Sequence, residues 1–122
     1  MKPEYLKPRF AALLALADGW LDGSGIAPDK TKLAAIAEKM VGHYPAQLPL
    51  PAMVPTPEGN LLLEWDAPGD PSVDLHLESM HAAFHAFQPN ETETEQEILL
   101  TTAASWGEFF ALLNERLQQR PA

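Results

Sequence analysis

The apolar residues of this chain change their spacing twice, and those two changes restrict the fold more than any other feature. Up to about residue 43 they recur every three or four positions, as on one face of a helix. From Pro49 to about Leu100 they alternate, as on one face of a strand, and after about Ala103 the helical spacing returns. This order predicts an α+β domain: two N-terminal helices, an antiparallel meander of four to five strands, and a C-terminal helix. The helices then pack on one face of the sheet and leave the other to solvent, which antiparallel sheets tolerate. At 122 residues, a single domain over 1–122 is expected.

The element boundaries follow from local chemistry. Leu6, Phe10, Leu13, Leu14 and Ala17 form the first stripe, so a helix is expected over about 4–18, with Pro8 in its first turn and Asp18-Gly19 as its stop. A glycine-rich loop, in which Trp20 and Leu21 are expected to pack inward, leads to a second helix over about 28–43. Pro28 and Asp29 suit that helix's first turn, and Leu33, Ile36, Ala37, Met40 and Val41 form its buried face. Strands are expected between about 52 and 100: Ala52–Pro55 at an edge because of its prolines, then Leu61–Asp66, Val73–Glu78, His81–Phe87 and Glu95–Leu100. Ser79-Met80 reads as a two-residue hairpin turn, and Gly59 or Asn60 as a positive-φ turn position. Thr102 is a natural N-cap for a helix over about 103–118 with the stripe Trp106, Phe109, Phe110, Leu113 and Leu117.

Charge is distributed as unevenly as the periods. The net charge is −9, yet no Lys or Arg lies between residues 40 and 115, where 12 of the 17 acids fall. That stretch therefore carries −12, while the flanks, with eight cations and five acids, carry +3. Such a surface repels phosphate backbones, which argues against direct nucleic-acid binding and for a basic protein partner or a cation. The acids offered as an interaction surface are Glu64, Asp66, Asp70, Asp74, Glu78, Glu91, Glu93, Glu95 and Glu97. With no cysteine, disulfide frameworks and thiolate zinc sites are excluded. The apolar run Phe10–Ala17 is far shorter than the roughly 20 residues of a spanning helix, so no membrane association is expected. Lys2, Lys7 and Arg9 imitate the leader of a secretion signal, but Pro3, Glu4 and Pro8 interrupt it, and a cytoplasmic location is the better expectation.

Three of the four histidines fall inside the acidic stretch. With a two-residue turn at Ser79-Met80, Glu78 stands opposite His81, His76 opposite Ala83 and Asp74 opposite His85, all on one face. His76, His81 and His85 with Asp74, Glu78 and Glu64 then have the donor types of a nitrogen–oxygen site for zinc or another divalent metal. The plainer reading is a solvated sheet face with charges paired across strands. It is the stronger of the two, because a flat face leaves a coordination shell open. No cofactor is expected otherwise. Asp18, Asp22 and Asp29 around Gly23 have part of a calcium-loop spacing, but Trp20 takes a ligand position and no bidentate Glu closes it. Ser24, Ser79 and Ser105 have turn and helix-start roles, and no nucleophile elbow or phosphate loop occurs. Trp20, Trp65 and Trp106 read as core residues before ligand-stacking ones.

Two segments carry a resemblance: Gly19-Trp20-Leu21-Asp22-Gly23-Ser24-Gly25-Ile26-Ala27-Pro28-Asp29, and Val54-Pro55-Thr56-Pro57-Glu58-Gly59-Asn60 running to Glu64-Trp65. Together they resemble a family of small acidic bacterial proteins of unknown function with a GWLDG-G-APD loop and a PTPEG…EW hairpin. Val54 stands where that pattern has an aromatic residue, and Asn60 where it has a second Gly. The resemblance implies the fold and brings no catalytic role. The functional expectation is a non-enzymatic, acidic interaction module of antitoxin, inhibitor or accessory type that binds a basic partner. The alternative is a small metal-dependent enzyme using the His/carboxylate cluster. A small-ligand pocket between helices and sheet is a third reading, to which the sequence assigns no residues.

Overall fold

The structure, a computed structural model, describes residues 3–67, 70–85 and 94–118. A 3-10 turn over Pro3–Leu6 leads into helix α1 (Lys7–Leu14), followed by α2 (Lys30–His43). Strands β1 (Ala52–Pro55), β2 (Leu61–Glu64), β3 (Ser72–His76), β4 (His81–His85) and β5 (Thr94–Leu99) form one sheet in chain order, every neighbouring pair antiparallel. Helix α3 (Ala103–Gln118) closes the chain. This is the expected α+β arrangement with a five-stranded meander.

The register assigns the two faces. Leu61, Leu75, Ala82 and Ile98 pair across the sheet in one row, and Met53, Leu63, Val73 and Phe84 in another. These residues join Leu6, Phe10, Leu33, Ile36, Met40 and the α3 stripe in one apolar cluster, so the helices lie on that face. Each fully buried Leu or Phe there contributes about 1.5–3 kcal/mol.

Several boundaries differ from expectation for identifiable reasons. α1 is shorter than 4–18: Pro8 in its first turn has no N–H to return to Glu4, and the preceding turn tightens to 3-10. At its other end Lys30 Nζ donates to the carbonyls of Leu14 and Leu16, which closes the helix before Asp18. α2 starts two residues later than expected because Asp29 is its N-cap, accepting from the Lys32 amide at 2.9 Å. Leu21 does not pack inward: it is 41% exposed, while Trp20 is half-buried with its indole N–H donating to the Ile26 carbonyl. β2 stops at Glu64 because the next rung is incomplete: Trp65 donates its amide to the Pro71 carbonyl, and Pro71 has no N–H to return. Gly59 takes the positive φ (87°) expected of Gly59 or Asn60. α3 has the expected bounds, with Thr102 Oγ1 accepting from the Ser105 amide and Ser105 Oγ accepting from the Thr102 amide.

The β3–β4 connection carries the largest correction. It is a four-residue turn, 77–80, and the two-residue turn at Ser79-Met80 is not formed. Leu77 alternates with β3 as a strand residue would, yet it sits in the turn and is 2% exposed. Its amide is taken by Asn60 Oδ1, Lys32 Nζ holds the Glu78 carbonyl, the Leu100 amide bonds the Met80 carbonyl, and Met80 takes a positive φ of 54°. Those anchors move the pairing by two residues, so His76 stands opposite His81, Asp74 opposite Ala83 and Ser72 opposite His85.

Candidate functional site

A two-residue shift returns every side chain to the face it would have had. Asp74, His76, His81 and His85 therefore still share the face away from the helices. Glu64 and Glu97 join them, because Glu64 pairs with Ser72 and Glu97 with Ala83. Glu78 does not: it lies in the turn, not opposite His81. Asp66 and Asp70 are exposed in the β2–β3 connection. Glu95 lies on β5 with its side chain outside the described residues, and Glu91 and Glu93 lie outside them altogether.

The face is tied together by imidazoles. His81 accepts or donates through Nδ1 to Ser79 Oγ at 2.5 Å, and its Nε2 lies 3.2 Å from Glu97 Oε1. His85 Nε2 lies 3.1 Å from Asp74 Oδ2, a diagonal contact that spans the shifted register. His76 stacks on His81, ring centroids 4.5 Å apart and planes 19° from parallel. Beneath these side chains Ala83 is 3% exposed on a face that no helix covers.

The chemistry follows from what each nitrogen touches. Both ring nitrogens of His81 are engaged, so it would ligate a metal only by releasing Ser79 or Glu97. Near-parallel stacked rings also do not converge on one ion. Among the described residues no three His, Asp or Glu side chains form a metal-holding group. The geometry divides the expected cluster into a Ser79–His81–Glu97 chain flanked by His76, and a separate His85–Asp74 pair. Half-exposed pairs of this kind contribute about 0–1 kcal/mol each, so they orient the face more than they stabilise it.

The loop with a partial calcium spacing is occupied by its own backbone. Asp18 Oδ1 accepts from the Ala27 amide, Asp29 caps α2, and Asp22 sits in a turn with φ 49°. The two segments of the family resemblance meet in space: the Ile26 amide donates to the Pro57 carbonyl at 2.8 Å, and Gly59 lies against Ile26. Comparison with protein-family models, curated proteins and solved structures found no match. Among the described residues no helix is long and apolar enough to cross a membrane.

Sequence reasoning assigned no residues to one further feature, a cleft between α2 and α3 lined by Lys39, His43, Ala103, Trp106, Gly107 and Phe110. Its only signal in the sequence is the pair of small residues, Ala103 and Gly107, beside the aromatic stripe of α3.

Proposed function

We propose that this protein is a non-enzymatic interaction module whose open sheet face receives a basic protein partner. The observation that carries this reading is the composition of that face. Its strands display Glu64, Asp74 and Glu97 with imidazoles, in a 76-residue stretch without Lys or Arg, and Arg9 of α1 reaches only the cleft beside Glu64. A face of one sign governs association rate and partner choice more than final affinity. Two of its carboxylates are held in place by His81 and His85, which lowers the side-chain entropy lost on docking. A cytoplasmic location and membership of the small acidic bacterial family fit the same reading. The contact between the GWLDG loop and the PTPEG turn supports treating those segments as one structural unit.

The test is affinity capture at low salt with wild type and with Glu64→Gln/Asp74→Asn/Glu97→Gln, after circular dichroism has shown equal folding. Partners should be enriched in Lys and Arg, elute between about 0.1 and 0.5 M salt as screening shortens, and be lost from the triple variant. Recovered proteins no more basic than the proteome, or equal recovery by the triple variant, would refute the proposal.

A further inference from the structure

Of the clefts in this acidic protein, two are lined by carboxylates. One holds Glu64 and Asp66 beside Arg9, and the other Asp18, Asp29, Glu58 and Glu78 beside Lys32. The cleft between α2 and α3 differs in kind. It consists of two adjoining hollows, of about 360 and 420 Å3, that share Lys39, Ala103 and Trp106, and no acid lines either of them.

Its construction follows from the helices. Trp106 and Phe110 lie 5.7 Å apart between ring centroids with their planes tilted by 31°, and Tyr44 meets Phe110 edge-on at 6.3 Å, giving an aromatic floor. Ala35 on α2 and Ala103 and Gly107 on α3 are too small to fill the space above it. A Cβ added at Gly107 would meet nothing within 4 Å. Met80 and Leu100 extend the apolar wall toward the sheet. Both hollows are open to solvent at Ala35, His43, Thr102 and Gly107, so a ligand there is covered on one side and exposed on the other.

Two features give the cleft a sign. Lys30 and Lys32 commit their ammonium groups to backbone carbonyls, whereas Lys39 has no hydrogen-bond or ion-pair partner among the described residues. The second hollow opens at Thr102 and Ala103, the positive end of the 16-residue α3. An unpartnered cation, a helix N-terminus and an aromatic floor are complementary to one ligand chemistry. We propose that this cleft binds a small amphipathic carboxylate, its apolar body over Trp106 and Phe110 and its carboxylate at Lys39. The site is separate from the acidic face and stands or falls independently of it.

Decanoate, decanamide and a short peptide ending in a free Leu carboxylate serve as probes, read by titration calorimetry on the full chain. Decanoate should bind 1:1 below about 1 mM, since burying four or five methylenes outweighs part of the association cost. Decanamide should bind about five-fold more weakly, the measure of one half-exposed ion pair. Lys39→Glu should remove that preference, so that decanoate binds no more tightly than decanamide. Gly107→Leu, a helix-compatible change that fills the cleft, should weaken both by at least about tenfold, the worth of two buried methylenes. The proposal is overturned by no saturable decanoate binding, by equal affinity for acid and amide, or by binding that both variants retain. Binding of the peptide without decanoate also overturns it, in favour of a partner's C-terminus.

Discussion

Removing the Tyr44 hydroxyl should cost stability at neutral pH and almost nothing in strong base. The residue follows α2 directly and is 3% exposed. Its hydroxyl donates to the Pro49 carbonyl and accepts from Trp65 Nε1 at 2.9 Å, so one oxygen joins the end of α2 to the segment before β1 and the residue after β2. Tyr44→Phe keeps the ring and its edge contact with Phe110 but withdraws both hydrogen bonds from buried groups. That should cost about 1–3 kcal/mol at pH 7. Burial raises the phenol pKa from 10.0 to about 12, with the Trp65 bond acting in the opposite direction. A raised folded-state value means the unfolded chain ionises first. The contribution is complete below pH 10 and is lost as pH climbs toward 12. At pH 11.5 the wild type should have lost about 2 kcal/mol through this group, whereas the Phe variant loses none of it. Urea unfolding followed by tryptophan fluorescence at pH 7, 9, 10.5 and 11.5 measures the gap, and other titrating groups cancel between the two proteins. A variant within 0.5 kcal/mol of wild type at pH 7, or a gap that stays constant to pH 11.5, would refute the reasoning.

Two glycines should respond in opposite directions. Gly59→Ala puts a Cβ 3.2 Å from Ile26 Cγ2 at φ 87°, so thermal unfolding should show a loss of about 1–2 kcal/mol, and no loss would mean the turn does not hold the α1–α2 loop. Gly107→Ala, in the α3 interior with open space around the new methyl, should gain about 0.5–1 kcal/mol in the same assay.

Most of the fold could be read from the sequence because its signals are local. Thr102 and Ser105 cap α3 three residues apart, and Trp106, Phe109, Phe110, Leu113 and Leu117 mark its buried face without reference to anything else. The β3–β4 turn could not be read. Leu77 has the spacing of a strand residue and is buried like one, and what makes it a turn residue is Asn60 and Lys32, 17 residues and more away in the chain. Asp74, His76, His81 and His85 kept a common face only because the slip was an even number of residues, and Glu78 was lost from it to the turn. The partnership of His81 with Glu97 depended on which strand lies beside β4, which spacing alone does not disclose. The α2–α3 cleft was less legible still, since a hollow is set by how two distant helices approach and not by either one.

The meander has a consequence for how the chain is made. Every strand pairs with its neighbour in sequence, so the sheet can close one hairpin at a time behind a moving ribosome. The helices cannot wait for it. The Leu33, Ile36 and Met40 face is complete when His43 is synthesised, but β5 ends at Leu99, 56 residues later. At about 5–20 residues per second that interval lasts roughly 3–11 s. During it α1 and α2 have only each other and the hairpins already closed to cover their apolar stripes.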